Sequence, residues 1–411
     1  MHLHDINTLL NLQGVLVTHI TEPVENTVYI TLEPIDLHQP CPVCGNNHTI
    51  RRGKSRPRHI RHLNLFENRT ILILPTIRLT CKDCGSNFTW EYSFVKPKSR
   101  YTNAFKRKLA KSIHGGTVKH SVKIFNLPYT SGERFIKEAL SAMIPMVQNQ
   151  VLDAATNSSK LIVGIDDFAI RKGHTYNTGI HDLRNSTLLT VVRGRKYDEL
   201  INNESLRQIV NSVSPFAVVM DLAKSYHNFA QEVFPNAIRI ADRFHVNRYI
   251  TEALHSIRKR VSRNLNTYQS KFLKQNKKLL EKRNDSLTKD EQSVLETILR
   301  LSSELKEAYW FKEALIEWYD YSNKTNAMNL LEKWIQHGES LDISEVSQAL
   351  KTFKNWKIEI ANYHQCRFTN AAVEGKNNKI KALQRRSYFL RNRQSYEYRI
   401  YLECNSEFLP A

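Results

Sequence analysis

Three acidic side chains stand where a chain would place groups that hold hard cations. Asp166 follows the apolar run Leu161-Ile-Val-Gly-Ile165, and Asp221 follows Phe216-Ala-Val-Val-Met220. Glu374 opens a helical pattern in which Asn378 and Lys381 fall at i+4 and i+7, on its own face. A carboxylate that closes an apolar strand is carried on a rigid element. Two or three such groups suffice for Mg²⁺ or Mn²⁺, because Mg²⁺ keeps several of its waters. Paired hard cations activate a water or hydroxyl at a phosphodiester and stabilise the leaving oxygen. Lys381 is placed to hold a phosphate. Asp167 and Asp182 rival Asp166. Neighbours on a strand point to opposite faces, so Asp166 and Asp167 do not both serve one metal pair, and the spacing does not choose between them.

A second constellation is made of thiols. Cys41-Pro-Val-Cys44-Gly and Cys81-Lys-Asp-Cys84-Gly are two Cys-x-x-Cys knuckles. The glycine after each second cysteine permits the tight turn that aims two thiolates at one ion. Four thiolates suit a closed, structural zinc site of the zinc-ribbon kind. His48 and His59 lie between the knuckles, but four cysteines already fill the shell. Cys366 and Cys404 have no partner spacing and read as packing residues.

The elements that must position the carboxylates follow from periodicity. After Leu161–Ile165 come two β-branched runs, Tyr176–His181 and Leu188–Val192. A helix with Leu206, Ile209, Val210 and Val213 on one face leads to the strand Phe216–Met220. A second helix, Lys224–Phe234, leads to the strand Ala237–Ala241, which ends at Asp242-Arg-Phe-His245. Three strands, helix, strand, helix, strand predicts an antiparallel meander with two further strands parallel to the first. This is the order of the ribonuclease H-like fold, in which the first and fourth strands end side by side.

From Val246 the chain turns helical and charge-mixed to about Gln365, with a capping box at Thr288-Lys-Asp-Glu291. Trp310, Trp318, Trp334 and Trp356 fall there and read as core. Upstream, residues 101–145 read as three short basic helices broken at Gly115-Gly116 and Leu127-Pro128, compatible with a helix-turn-helix. The expected fold is therefore a multidomain α+β chain. It comprises an N-terminal segment (1–40), a zinc ribbon (41–95), a helix-turn-helix (100–148), and a ribonuclease H-like α/β core (160–245 and 366–405) interrupted by an all-helical insertion (246–365).

With 60 Lys+Arg against 40 Asp+Glu, the 411 residues carry a formal charge of +20. The charge is uneven. Residues 1–50 hold no Lys or Arg, whereas residues 51–150 hold 20 against five acids, a balance of +15. A second basic stretch from Arg367 to Arg399 has nine Lys/Arg against Glu374 and Glu397. Two separated blocks point to the backbone of double-stranded DNA. The candidate contacts are Arg51, Arg52, Lys54, Arg56, Arg58, Lys106, Arg107, Lys108, Arg385 and Arg386. A hydrophobic content of 41% excludes a wholly disordered chain. The absence of an eighteen-residue apolar run excludes a membrane-spanning helix, and the N-terminus lacks the pattern of a secretory signal. A cytoplasmic protein, associated with the nucleoid when bound, is expected.

Four strings, CPVCG…CKDCG, GIDDFAIRKGHTYNTGIHDL, VVMDLAKSYHNFAQEVFPNAIRIADRFHVNRYI and TNAAVEGKNNKIKALQRRSY, run in order from Cys41 to about Arg399. They resemble the DDE transposases of bacterial insertion sequences, of the ISL-three type. The resemblance implies a catalytic, Mg²⁺-binding triad on Asp166, Asp221 and Glu374, and favours Asp166 over Asp167. It implies a supporting role for Asp242 and His245, a structural Zn²⁺ and a dimer or larger assembly on DNA. The implied activity is binding of terminal inverted repeats, strand cleavage and strand transfer. The alternatives are a non-catalytic DNA-binding derivative and a ribonuclease H-like nuclease or resolvase. One departure is that Phe389-Leu390 follow Arg385-Arg386-Ser-Tyr388, where the family often has glycine and an aromatic.

Overall fold

The computed structural model describes residues 3–36, 38–171, 175–387 and 392–409; Phe389-Leu390 lie outside them. The chain forms two compact units, residues 1–145 with 386–402, and residues 146–385 with 403–411. No helix among the described residues is long and apolar enough to cross a membrane.

The first unit begins with α1 (Leu3–Leu10), β1 (Val15–Ile20) and β2 (Thr27–Pro34). It continues with the long strands β3 (Thr49–Arg61) and β4 (Arg69–Cys81) and the short β5 (Asn87–Thr89). The sheet order is β1-β2-β4-β3, with β5 also on β4. The N-terminal segment therefore shares one sheet with the knuckle strands. Val28, Ile30 and Leu32 alternate inward on β2 and meet Leu72, Leu74 and Ile77 of β4 in one core. Pro57 and Pro75 fall where the β3–β4 register shifts between Ser55 and Arg58, since a proline nitrogen cannot donate to a ladder. Helices α2 (Asn103–Lys111), α3 (Val118–Ile124) and α4 (Tyr129–Thr156) follow. Thr102 and Thr117 cap the first two through hydrogen bonds to Phe105 N and His120 N. The third is far longer than its sequence pattern suggests and carries Pro145.

The second unit holds β6 (Ile162–Arg171), β7 (Thr175–Asp182), β8 (Thr187–Arg193), β9 (Ala217–Met220) and β10 (Ile238–Ala241), in the order β10-β9-β6-β7-β8. The meander β6-β7-β8 is antiparallel, while β9 and β10 run parallel to β6. All four residues of β9 are buried, which explains its unbroken apolar run. Helices α5 (Tyr197–Ile201) and α6 (Glu204–Ser212) precede β9, and α7 (Lys224–Val233) joins it to β10.

Helix α8 (Arg243–Arg263) starts directly at β10 and opens the helical region. That region continues through α9 (Thr267–Gln275), α10 (Lys289–Leu299), α11 (Ser303–Tyr321), α12 (Ala327–Ser340), α13 (Ser344–Asn355), α14 (Lys357–Ala361) and α15 (Tyr363–Cys366). The Thr288–Glu291 capping box is formed at α10. Trp318 and Trp334 are buried as expected, whereas Trp310 is 46% exposed. One core cluster runs from Ile162, Ala217, Val219 and Ile240 of the sheet to Leu254, Leu315 and Leu350 of these helices. The helical region thus completes the covering of one sheet face. It returns the chain to α16 (Ala371–Arg386), which carries Glu374, and then to α17 (Arg393–Cys404).

Candidate active site

The cysteine centre is built by strand pairing. Register Thr49↔Cys81 across β3 and β4 brings the two knuckles together. Each knuckle closes in the same way. Gly45 N donates to Cys41 O at 2.9 Å and Gly85 N to Cys81 O at 3.1 Å, while Cys41 N and Cys81 N donate to Asn46 O and Ser86 O. Gly45 and Gly85 have φ of 76° and 71°, the left-handed conformation the turn requires. The four Sγ atoms lie within 4.8 Å of one another, with Cys41–Cys84 and Cys44–Cys81 at 3.6 Å. A tetrahedron with Zn–S arms of ~2.3 Å has edges of roughly 3.8 Å, so the set fits one zinc ion. His48 is not part of this cluster and meets Asp83 instead.

The second centre is a cleft of about 1070 Å³ lined by Asp166, Asp167, Asp221, Asp242, His245, Glu374 and Lys381, among others. Its floor is a row of strand positions. Ile165 pairs with Met220, and Met220 with Ala241, across the parallel strands β6, β9 and β10. Asp166, Asp221 and Asp242 are each the next residue. Asp166 does not end its strand, contrary to the sequence pattern. Strand β6 continues to Arg171 against β7, and only its pairing with β9 stops at Ile165. Asp166 therefore borders the space that β9 vacates.

Burial and mutual proximity make these carboxylates costly to ionise. Burial and the nearby Asp221 carboxylate raise the Asp166 pKa to about 7. Burial also raises Asp221, opposed by His245. His245 Nδ1 lies 2.7 Å from Asp221 Oδ1 and 3.1 Å from Asp242 Oδ2. Burial lowers the His245 pKa, but the two carboxylates outweigh it and lift it to about 10. Asp221, Asp242 and His245 each offer a ligand atom within 4.8 Å of the others. With His245 protonated, the carboxylate oxygens are the groups left to a cation; acids raised by burial and by neighbouring carboxylates are relieved by a divalent ion, so the oxygen donors of the cleft fit a hard metal ion.

Asp167 is engaged by an arginine that lines the same cleft. Its Oδ2 meets Arg195 Nη1 at 3.2 Å, and that guanidinium lies 4.0 Å from the centre of the Tyr176 ring.

Helix α16 is pinned to the floor at two asparagines. Asn370 N donates to Asp242 Oδ1 at 3.0 Å, and its Nδ2 donates to Ile165 O at 3.1 Å. Asn370 O then accepts from Glu374 N at 2.9 Å, in the first turn of the helix. Asn377 Nδ2 donates to Asp166 Oδ2 at 2.8 Å. Asn378, which the spacing singles out, is exposed and does not line the cleft; the buried Asn377 does. Both fall near the Glu374 face, about 60° to one side and about 40° to the other at roughly 100° per residue, and the docking of α16 selects the first.

Several basic residues expected at DNA also make contacts within the fold. Arg58 donates to Lys96 O and Ser99 O. Lys106 is buried, 3.0 Å from Glu138 Oε2 and over the Phe135 ring. Arg386 donates to Gly116 O. Lys54 pairs with Glu33, and Arg51 donates to Asp36 O. Arg51, Arg52, Lys54, Arg56, Arg107, Lys108 and Arg385 remain exposed. Asn370, Arg195 and Phe244 were not singled out from the sequence. Only the position of Phe244 between Asp242 and His245 offered a signal.

A sequence profile described as a transposase of the DDE ISL3 type matches residues 163–400. A second profile, the zinc finger of the IS204, IS1001, IS1096 and IS1165 transposases, matches residues 38–84. The chain is also 23% identical over 396 residues to the transposase for insertion sequence element IS1001 of Bordetella parapertussis, covering 93% of this chain and 94% of that protein. The first match spans more than half of the chain and contains the whole cleft, and the second contains all four cysteines, Cys41, Cys44, Cys81 and Cys84: the chain belongs to the ISL3 family of DDE transposases, with a zinc-finger module of that family near its N-terminus.

Proposed function

We propose that the protein binds the terminal inverted repeats of its insertion sequence, cuts the DNA there and joins the freed end to a target. The observation that carries this reading is the strand row Asp166–Asp221, with Glu374 of α16 lining the same cleft. The β10-β9-β6-β7-β8 order supports a ribonuclease H-like core formed by residues 160–245 and 366–405, with 246–365 as its insertion.

Asp166, Asp221 and Glu374 would hold the catalytic Mg²⁺ or Mn²⁺ ions, which when bound would supply activation of the attacking oxygen and neutralisation of the leaving one. Asn377 orients the Asp166 carboxylate, and Asp242 with Asn370 sets the start of the helix that delivers Glu374. His245, as an imidazolium, holds Asp221 in place. Lys381 faces the phosphate from the cleft wall. Engagement of Asp167 by Arg195 supports Asp166 as the first ligand.

The zinc ribbon (41–95) and a helix-turn-helix made by α2, α3 and the start of α4 (within 100–148) read the element ends. The exposed Arg52, Arg56, Arg107 and Lys108 provide phosphate contacts. Two ends must be held together, so the working form is a dimer or larger assembly on DNA. The place of action is the bacterial cytoplasm, at the nucleoid.

The test is a strand-transfer assay on DNA bearing the repeats that flank the gene. Joined products with Mg²⁺, lost in Asp221→Asn and Glu374→Gln while end binding persists, support the proposal. Cut products alone indicate a nuclease, and binding without cutting indicates a non-catalytic derivative.

A further inference from the structure

Phe244 is a large apolar side chain in the wrong place for packing. It sits in the first turn of α8, lines the carboxylate cleft and is 58% exposed. Its ring meets the edge of His245, with centroids 5.5 Å apart, and His245 in turn lies against Asp221. The ring is thus held one side chain away from a carboxylate of the floor. Arg243 beside it is directed elsewhere, to Asp320 and over the Tyr319 ring. Arg248, one helical turn on and on the same face as Phe244, is 59% exposed and, among the described residues, is joined to Glu252 by a solvent-facing i,i+4 pair. Such a pair is weak and gives way readily. Lys196 and Lys381 border the same cleft.

An exposed aromatic ring flanked by cations, at a site proposed to take a polyanion, is the composition of a stacking platform for an unpaired base. A flat π-face is the one apolar surface that DNA offers at the depth of its phosphates once a pair is opened, and apolar side chains are used in this way to unstack base steps.

We infer that Phe244 forms a stacking subsite for a nucleobase unpaired beside the scissile phosphate, with Arg248 taking the adjoining backbone phosphate. The inference rests on the transposase reading of this cleft. Phe244 opens or holds open the terminal pair, which lets the phosphate descend to Asp166 and Asp221.

The test compares two DNA substrates bearing the element's terminal repeat. One is fully paired; the other carries a mismatch at the nucleotide flanking the cut. Cleavage in Mg²⁺ is measured for the wild type, Phe244→Ala and Phe244→Trp. Phe244→Ala is expected to cut the paired end on the order of tenfold more slowly, as loss of one stacking contact implies. The mismatched end restores it to near the wild-type rate, and Phe244→Trp stays near wild type on both. An equal defect of Phe244→Ala on both substrates, or no defect, overturns the subsite. Self-association lost in Phe244→Ala without DNA also overturns it, because the ring would then cover a protein interface. Failure of the wild type to cut either substrate would instead refute the transposase reading, and is recognisable as such.

Discussion

Asp166 and Asp221 stand one residue beyond the last couple, Ile165↔Met220, that the parallel strands β6 and β9 share. Both side chains leave their strands on the side opposite that of Ile165 and Met220, and so come to one cleft. The relationship makes each acid costly to ionise in the other's presence, which yields the first prediction.

Without metal, the contribution of Asp166 to stability, read as the difference between wild type and Asp166→Asn, is expected to fall as the pH rises from about 4 to about 7. The folded Asp166 carboxyl, at about 7, keeps a proton that the unfolded chain has released near its ordinary value of ~3.9. Stability from this group is present at low pH and lost through neutrality. Mn²⁺ competes with that proton, so the rise in Tm it produces should grow from pH 5.5 to pH 8. Equal shifts at both pH values, or an undiminished shift in Asp166→Asn, would contradict this.

The Asn377–Asp166 bond separates two neighbouring asparagines. Asn377→Leu removes the donor to Asp166 Oδ2 and should lower kcat by about ten- to a hundredfold, with a stability loss of about 1–3 kcal/mol. Asn378→Leu, on the exposed side of α16, should change neither by more than about twofold or about 0.5 kcal/mol. Cleavage kinetics and thermal unfolding of the two variants decide the register.

Zinc removal should act locally. Cys44→Ser or chelation is expected to release about one zinc ion per chain and to weaken DNA binding. Most β-sheet signal should survive, since Ile30, Leu32, Leu72 and Leu74 form a core of their own in the same sheet. Metal analysis, circular dichroism and a binding titration test this together. Complete loss of strand signal would show that the metal holds the whole sheet.

Lysines alike in sequence should differ in effect. Lys106→Ala removes a buried lysine from its pair with the half-exposed Glu138 and from the Phe135 ring, and should cost stability of about 1–2 kcal/mol. Lys108→Ala, at an exposed site, should spare stability and reduce the salt dependence of DNA binding by about one unit of slope. Denaturation and salt-titrated binding distinguish them.

His62 makes the first unit acid-sensitive. Thr102 Oγ1 accepts from Phe105 N, so its proton goes to His62 Nδ1, 2.9 Å away, which requires a neutral imidazole. Burial pushes the His62 pKa down to about 4. The contribution is complete above the unfolded value of ~6.5 and is lost as the pH falls towards 4, by up to about 3 kcal/mol. Urea unfolding of wild type and His62→Asn between pH 4.5 and pH 7 should show a difference in stability between the two that shrinks as the pH falls; a difference independent of pH would contradict this.

Local spacing by itself determined much of this protein. Alternating and continuous apolar runs set five strands of the second unit in their correct order, because strand burial imposes its period on neighbouring residues. The two Cys-x-x-Cys-Gly strings set the thiol cluster, because a knuckle is a local turn. What depended on partners far along the chain was decided only by the tertiary structure. Asn377 rather than Asn378 faces Asp166 because α16 docks on a strand 211 positions earlier, and helical period alone leaves both near the Glu374 face. Lys106 and Arg58 read as free charge, but Glu138 and the carbonyls of Lys96 and Ser99 take them inward. Residues 1–40 entered the core of the first sheet, and the helical region that of the second, for the same reason: which apolar surfaces meet is settled by packing, and periodicity records only that each must meet something.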